Sequence, residues 1–400
     1  MNALAFAWRS LVRQPARTAL GIVGVAAVAA LLFDMLLLSH GLVLSMQDLL
    51  DRGGFNVRVT ATPSTPGSGP RIRHASQTAA ALAGLPEVEE AVPLRLGDAE
   101  IELHDGIRPL AVSIFGADTS RRRPWTVVEG RDVAGSGTPT GEMLLNRGLA
   151  TELGRGPGEA VTLRASCGAG TSVLPPLTLR VVGIAEFPFD TPTQMSVATT
   201  IGDAVRACGG EGRDEADMVL VASSRAGAEG ARAAIHRLRP DLHALTNEQV
   251  VARLQQADFS YFRQISAVLV TVTLSFAFIL ITVLLTVSVN QRLGEIAALR
   301  ALGFSRRRVV ADVFCESALM VGIGGATALP LGMALARWLD RILKVMPGIP
   351  VELHFFVFEP RAVVVHVVLL VATAILAALY PMRIVARLPI AATLRNEVIS

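Results

Sequence analysis

The chain has 400 residues, of which 51% are hydrophobic and 18% are charged. Soluble domains contain about 25% charged residues, so this composition, with a mean hydropathy of +0.48, favours a membrane protein. The net charge of +3 is small and gives no argument for nucleic-acid binding. Lys344 is the only lysine. A P-loop needs lysine after glycine, which excludes a P-loop ATPase site in this chain.

Four long stretches are almost free of charge, and each exceeds the roughly 20 apolar residues that cross a bilayer. We predict transmembrane helices at 18–44, 263–290, 309–336 and 362–382. The first stretch could also be a secretory signal. Its apolar length, its interruption by Asp34 and the lack of an A-x-A cleavage sequence predict a retained helix instead.

Arginine and lysine are distributed unequally between the short segments that flank these helices. Eleven lie on the side of the two termini and of the segment after the second helix, and four lie on the other side. The positive-inside rule then predicts that both termini are cytoplasmic. The predicted segments are an N-terminal interfacial helix at 1–17, an extracytoplasmic (periplasmic) domain at 45–262, a cytoplasmic helix at 291–308, an external loop at 337–361 and a cytoplasmic tail at 383–400.

The large insert, 45–262, has the pattern of a mixed α/β domain. Alternating apolar residues predict strands at 54–60, 99–104, 110–115, 159–164, 177–185 and 217–222. Helices are predicted at 76–83, 146–153, 200–207 and 225–238. Asn247 is expected to cap a further helix that runs towards the second span. This helix and the 39–52 extension of the first span would form a stalk.

No residue is predicted to be catalytic or to bind a cofactor or a metal. The seven histidines show no ligand spacing, and neither H-E-x-x-H nor G-x-S-x-G is present. Cys167 and Cys208 are both expected outside, where a disulfide is permitted. The sequence leaves open whether they pair or stay as two separate thiols.

Two carboxylates fall inside predicted spans, Asp34 and Glu316. A charge in a bilayer is costly and usually faces protein or water. Asp34 would contact a cavity between two subunits or, if the span is shifted, lie near the outer headgroups. Glu316 would pair with Arg307 or Arg308. Small residues of the third span at intervals of four, Ala318, Gly322 and Ala326, predict close helix packing.

Several segments in this order resemble the FtsX-like permease family, which includes the MacB-type and LolC/LolE-type permeases. They are A-W-R-S-L-V-R-Q-P-A-R-T-A-L near the N-terminus, the stretch 292–308, Glu316 with its Gly/Ala-rich helix, and Y-P-M-R-I-V-A-R-L-P-I-A-A-T-L-R near the C-terminus. In the insert, V-E-G-R-D, G-E-M-L-L-N-R-G-L-A-T-E-L-G and L-R-V-V-G-I-A-E-F resemble the family's periplasmic core domain.

The resemblance implies the non-catalytic permease subunit of an ABC transporter in the cell inner membrane. ATP hydrolysis by a separate cytoplasmic ATPase dimer would move the periplasmic domains, a mode called mechanotransmission, to export or release a lipoprotein, lipid, peptide or drug. The alternative is an FtsX-like signalling subunit that regulates a cell-wall hydrolase. The expected partners are the ATPase, a second permease subunit in a homo- or heterodimer, membrane lipids, and a periplasmic adaptor, lipoprotein or hydrolase.

The cytoplasmic helix at 291–308 is the expected site of ATPase coupling. The residues assigned to it are Glu295, Ile296, Leu299, Arg300, Leu302 and Gly303. Positions four apart share a face, so an apolar stripe can enter a groove of the partner between Glu295 and Arg300. The alternative is a membrane-surface helix that binds no partner.

Overall fold

The computed structural model describes residues 8–9, 11–13, 15–63, 69–102, 109–118, 122–135, 138–166, 174–210, 212–257, 260–291, 293–294, 296–297, 302, 305–346 and 353–386. The chain forms two compact units. The helical bundle comprises residues 1–43, 258–341 and 354–400, and the α/β domain comprises 44–257 and 342–353.

The elements in chain order are α1 (Pro15–Arg52), β1 (Val57–Thr60), β2 (Ile72–Arg73), α2 (Ala75–Ala83), β3 (Val88–Ile101), β4 (Leu110–Ala117), β5 (Thr126–Gly130), β6 (Glu142–Asn146), α3 (Arg147–Leu153), β7 (Ala160–Ser166), β8 (Leu177–Glu186), β9 (Ser196–Thr199), α4 (Ile201–Ala207), β10 (Glu215–Ala216), β11 (Met218–Ser223), α5 (Gly227–Leu238), β12 (His243–Thr246), α6 (Asn247–Ala257), α7 (Ser260–Asn290), α8 (Arg306–Leu343) and α9 (Pro360–Ala386).

Four of the described helices are long and apolar enough to span a membrane: α1, α7, α8 and α9. Their apolar parts are Thr18–Arg52, Ala267–Val287, Val310–Leu343 and Pro360–Arg383. All four coincide with predicted spans, so the prediction of a four-helix membrane protein with a large α/β insert between the first two helices is confirmed. The helices are longer than the predicted spans, and α1 continues to Arg52.

The helical bundle packs through small residues, although not through the predicted ones. A Cβ on Gly324 of α8 would lie 2.8 Å from the Cβ of Val25 in α1, and one on Gly332 would lie 3.0 Å from the Phe33 ring. These two glycines therefore let α8 approach α1 closely. At Gly322 a Cβ would meet no atom within 4 Å. The predicted small-residue stripe thus lies on another face of α8, where it lines a cavity.

Six strands of the α/β domain close into a ring. Neighbouring strands pair in the order β3–β4–β9–β6–β8–β7 and back to β3, with β4–β9 and β6–β8 parallel. Alternate residues of these strands face one core, as the two-residue period of a strand requires. They are Ala99, Ile101, Val112, Ile114, Met143, Leu145, Val161, Leu163, Ala165, Leu179, Val181 and Val197.

A second, antiparallel part of the sheet extends from the ring in the order β12–β1–β11–β3. The helices α2 and α5 cover one face of it, where Val57, Val221, Leu82 and Ile235 are fully buried. The pairing of β1 with both β11 and β12 brings the start of the domain next to its end. The two chain segments that connect the domain to membrane helices therefore begin at neighbouring strands.

Candidate functional site: the polar network of α1, β1 and α6

Three polar side chains from three elements form a hydrogen-bonded network, here called the stalk network: Asp51 of α1, Arg58 of β1 and Asn247 of α6. Asn247 is buried, Arg58 is half-buried and Asp51 is exposed. The Asn247 side-chain amide donates to the Asp51 carboxylate and to the Phe55 carbonyl oxygen, the latter at 2.9 Å. The Asn247 carbonyl oxygen accepts from the Arg58 guanidinium. All hydrogen-bonding groups of this amide are thus used at one position, where Asn247 is 3% exposed.

Strand register produces this arrangement. β1 pairs with β12 so that Val57 lies opposite Thr246, and α6 begins at the next residue. The backbone N–H of Asn247 donates to the carbonyl oxygen of Asn56 at 3.0 Å. Because α1 ends at Arg52, only four residues separate it from β1, and Asp51 therefore reaches the same point.

The predicted capping role of Asn247 is wrong. Thr246 occupies the cap position instead, since its hydroxyl oxygen accepts from the Gln249 backbone N–H at 3.3 Å. The Asn247 side chain is turned to Asp51 and Arg58. The sequence pattern shows that an asparagine lies at the start of a helix. It does not show that the side chain instead bonds to Asp51 and Arg58, which lie almost 200 positions away.

The charges of Arg58 and Asp51 influence each other in the stalk network. Burial lowers the pKa of Arg58 to about 10, and the nearby Asp51 carboxylate opposes this shift. At neutral pH the guanidinium is therefore still charged, and the exposed Asp51 carboxylate lies near it. Removing Asp51 would leave the half-buried guanidinium without this opposite charge.

A polar cavity of about 540 Å³ lies beside the stalk network. Its lining includes the acidic residues Asp51, Glu229 and Glu248. Within the described parts of the chain, no group of three or more His, Cys, Asp or Glu side chains could hold a metal ion. The network joins α1, β1 and α6.

Of the residues predicted to couple to the ATPase, the structure describes Ile296 and Leu302. The other four, Glu295, Leu299, Arg300 and Gly303, lie outside the described residues. Ile296 is buried and packs with Val289, Leu293 and Val310. Leu302 has 77% of its surface exposed. The segment therefore holds one apolar side chain inwards and presents another outwards before α8 begins.

Two protein-family models together match most of the chain. Residues 18–238 match the family described as MacB-like periplasmic core domain, which is more than half of the chain. Residues 267–390 match the family described as FtsX-like permease C-terminal. The chain belongs to the FtsX-like permeases with a MacB-like periplasmic core domain. This order of the two parts is the one that the resemblance implied.

A curated relative of this permease is an uncharacterised ABC transporter permease protein of Mycobacterium tuberculosis, 32% identical over 108 residues. The match covers 27% of the chain and 12% of the relative. The chain is thus aligned with only about an eighth of that protein's length.

Solved structures also match the permease. The periplasmic region of MacB from Actinobacillus actinomycetemcomitans is 10% identical, with a TM-score of 0.37 over 51% of this chain and 95% of that structure. The extracellular domain of the noncanonic ABC-type transporter YknZ from Gram-positive bacteria is 11% identical, with a TM-score of 0.35 over 48% of this chain and 99% of that domain.

The intramembrane carboxylates of the permease differ in burial. Asp34 is 1% exposed inside the bundle, and neither oxygen has a hydrogen-bond partner among the described residues. A Cβ on Gly332 would lie 3.2 Å from one Asp34 oxygen, so α8 closes over the carboxyl group. Glu316 is half-buried in α8, and its pairing with Arg307 or Arg308 stays a prediction, as does the role of Asp34.

The described cysteines of the permease differ in whether they form a disulfide. Cys208 follows α4 and is disulfide-bonded, whereas Cys315 in α8 is free. Cys167 lies outside the described residues. The pairing of Cys167 with Cys208 therefore stays a prediction.

Sequence reasoning missed the stalk network, and it identified His366 of α9 only as a residue that faces another helix, which the contact with Phe33 of α1 agrees with. Asp51, Arg58 and Asn247 lie far apart in the chain, and their meeting depends on strand pairing. His366 did carry a signal, because an ionisable residue in an apolar span suggests a functional site. The spacing of the seven histidines in the sequence gave no indication of a metal site and no further information about His366.

Proposed function

We propose that this chain is the permease subunit of an ABC transporter of the mechanotransmission type. A separate cytoplasmic ATPase hydrolyses ATP, and the membrane helices pass the resulting movement to the periplasmic domain. That movement exports or releases a lipoprotein, lipid, peptide or drug. The proposal includes a dimer of permease subunits in the inner membrane with both termini in the cytoplasm.

The observation that carries the proposal is the stalk network at the end of α1. This helix has 38 residues, which corresponds to about 57 Å at 1.5 Å per residue. The hydrocarbon core of a bilayer is only about 30 Å thick. Residues from 44 onwards belong to the α/β domain, where Asp51 is bonded to Asn247 at the start of α6.

A movement of α1 or of the segment after α6 would therefore act on β1 and β12 directly. Asn247 bonds to α1 through Asp51 and to the loop before β1 through Phe55, so the two connections to the membrane move as one unit. A flexible linker would absorb such a movement. The continuous helix and the buried hydrogen bonds support transmission instead.

The segment after α7 supports an ATPase contact on the other side. An exposed leucine, Leu302, lies four residues before the three successive arginines 306–308. An apolar side chain within a basic segment is typical of a docking contact in which the leucine is buried and the charges flank it. A helix resting on the membrane would use both the leucine and the arginines, so the substitutions below are needed to separate the two.

The test uses two matched substitutions of exposed apolar residues at opposite ends of α8. Leu302 is 77% exposed and Val345 is 74% exposed, and the topology predicts that only Leu302 faces the cytoplasm. We expect Leu302→Asp to reduce co-purification of the ATPase and substrate-stimulated hydrolysis at least tenfold. Val345→Asp should leave both unchanged, with equal membrane insertion of the two variants.

Normal ATPase binding and coupling by Leu302→Asp would contradict the docking contact at this residue. Leu299→Asp and Glu295→Arg extend the test to the rest of the predicted stripe, and normal coupling in all three variants would remove the coupling role from the segment. The orientation is tested separately by cysteine labelling at Ser68 and Ser305. Labelling of both positions from the same side would overturn the topology.

A further inference from the structure

A cavity of about 400 Å³ lies between α8 and α9 within the helical bundle. Ligand pockets in proteins measure roughly 300–1,000 Å³, so its size is that of a binding site. Its lining from α8 includes Ala318, Gly322 and Ala326, and its lining from α9 is mostly Val, Leu and Ala. Several of these side chains, including Val367 and Val371, are exposed at the bundle surface. The cavity therefore opens sideways from the bundle.

One polar side chain breaks this apolar lining. His366 of α9 lines the cavity and is 1% exposed. Neither of its ring nitrogens has a hydrogen-bond partner among the described residues. The ring of Phe33 packs edge-on against it with centroids 5.4 Å apart, which gives apolar contact and no hydrogen bond. A neutral imidazole carries one donor and one acceptor, and neither is satisfied within the described residues; an ester oxygen could accept from the N–H.

The shape of the cavity favours a hydrocarbon chain. Along α9 its lining runs from His366 to Ala378, which is 12 residues and about 18 Å at 1.5 Å per residue. An extended hydrocarbon chain is long, narrow and apolar, and so is this lining of Val, Leu and Ala. A helix from a second copy of the chain is the competing occupant, and the cross-linking experiment below distinguishes the two.

The depth of His366 agrees with this occupant. His366 lies six residues after the start of α9 at Pro360, about 9 Å along the helix axis. Half of the hydrocarbon core is about 15 Å thick, and the headgroup region adds about 5–7 Å on each side. With Pro360 placed at the outer edge of the headgroup region, the imidazole would lie close to the level where the ester groups of a lipid meet its chains, and the rest of the cavity would continue inwards by about 18 Å.

We propose that this cavity binds one acyl chain of a bilayer glycerophospholipid, with His366 hydrogen-bonded to an ester group at the head of that chain. The small residues of α8 make the space for the chain, and the apolar residues of α9 cover it. The predicted helix-packing stripe thus has a different use: it forms a lipid slot. This inference is independent of ATPase coupling and concerns the chain itself in a bilayer.

The first experiment fills the slot. Gly322→Leu adds a side chain where a Cβ would meet nothing within 4 Å, so we expect the variant to fold normally. Ala334→Leu is the control, because Ala334 is exposed on α8 and does not line the cavity. Each purified full-length protein is placed in nanodiscs with phosphatidylethanolamine that carries a diazirine on one acyl chain, and cross-linked peptides are mapped by mass spectrometry.

We expect cross-links concentrated on the cavity lining in the parent protein, reduced at least fivefold by Gly322→Leu and unchanged by Ala334→Leu. An equal yield in Gly322→Leu would overturn the proposal. So would cross-links spread evenly over all lipid-exposed helix faces, or cavity positions that cross-link to a second copy of the chain in place of lipid.

The second experiment tests the hydrogen bond. Hexadecanol and hexadecane have the same chain, but only the alcohol can bond to an imidazole. In the parent protein, hexadecanol should displace the diazirine lipid at a concentration several-fold lower than hexadecane does. His366→Leu keeps the volume and should make the two competitors equal. Equal competition in the parent, or an unchanged difference in His366→Leu, would exclude His366 as the ligand group.

Discussion

Among the described residues, the buried Arg95 and Asp217 of the α/β domain pair with each other, whereas the buried Asp34 and His366 of the helical bundle have no hydrogen-bond partner. In the α/β domain, a guanidinium nitrogen of Arg95 lies 2.6 Å from a carboxylate oxygen of Asp217, and the side chains are 4% and 3% exposed. The same oxygen accepts from the Leu96 backbone N–H at 2.7 Å. In the bundle, Asp34 and His366 are each 1% exposed and have no hydrogen-bond partner among the described residues.

This difference distinguishes buried polar groups that hold the fold together from buried polar groups that suggest a functional site. A buried ion pair with additional hydrogen bonds holds strands together, although it is a weak source of net stability. Unpaired ionisable groups in an apolar bundle stabilise nothing and suggest a site for a ligand, a proton or a partner. The Arg95–Asp217 pair is of the first kind, and the cavity at His366 is of the second. The predictions below test this comparison, from the largest expected effect to the smallest.

The largest effect is expected from breaking the buried pair. Arg95→Met removes the nearer guanidinium from the buried Asp217 carboxylate and leaves only the more exposed Arg71, 3.6 Å from its other oxygen. We therefore expect the free energy of unfolding to fall by about 3 kcal/mol, the lower end of the range for a broken buried pair. Urea unfolding of the full chain in detergent, followed by the fluorescence of Trp125 after Trp8→Phe and Trp338→Phe, measures it, since Trp125 is buried in the α/β domain.

The double variant Arg95→Met with Asp217→Leu is the control for this experiment. Because it removes both charges, we expect it to regain at least half of the lost stability. A single variant as stable as the parent would show that the pair is solvated, and the contrast between the two units would then be weaker.

A smaller loss is expected in the stalk network. Asn247→Ala removes three side-chain hydrogen bonds, of which the one to the Phe55 carbonyl oxygen is buried, so we expect a loss of about 1–3 kcal/mol in the same assay. Gln249→Ala on the same helix is the control, since Gln249 bonds to the exposed Glu229. Equal effects of the two substitutions would show that the network does not fix α6 to α1.

Inside the helical bundle, we expect a substitution of a buried ionisable residue not to reduce stability. Asp34→Asn keeps the shape against Gly332 and removes a carboxylate without a described partner. Insertion scales assign about 2.5–3.5 kcal/mol to such a charge, so the thermal midpoint of the bundle, followed by circular dichroism in detergent, should stay equal or rise. Asp48→Asn, which removes an exposed pair with Arg52, should not raise it. A lower midpoint in Asp34→Asn would mean that the carboxylate has a partner, which a second subunit could supply.

The smallest effect is expected at an exposed pair of the α/β domain, Arg131 and Glu142. A hydrogen bond from Arg131 lowers the pKa of Glu142 from its ordinary value of 4.5, and the Ala134 backbone N–H adds to this. Because the folded-state pKa lies below the unfolded value, the pair stabilises the fold above pH 4.5, and this contribution is lost as the pH falls through the folded-state pKa.

Glu142→Gln should therefore show a smaller drop in unfolding midpoint between pH 7 and pH 4 than the parent. Added salt should reduce the difference further, since the pair is screened by solvent. An identical pH dependence of the two proteins would show that this pair does not contribute.

Much of the secondary structure was accessible from the sequence. The helices at 76–83, 146–153, 200–207 and 225–238 correspond to α2 to α5, and the strands at 110–115, 159–164, 177–185 and 217–222 correspond to β4, β7, β8 and β11. The strands β5, β6, β9 and β12 were not predicted. Each has only four or five residues, and in β6 and β9 nearly every residue is buried, so the alternation that reveals a half-exposed strand is absent.

The sequence by itself determined the four membrane helices, the position of the α/β insert and the family. These depend on local properties, namely the length of apolar stretches and the order of short motifs, which do not require knowledge of contacts. Tertiary structure alone decided the ring of six strands, the partners of Asn247 and the face of α8 that packs on α1. Each of these depends on residues far apart in the chain, and a four-residue spacing of small side chains fits a close helix contact and a lipid slot equally well.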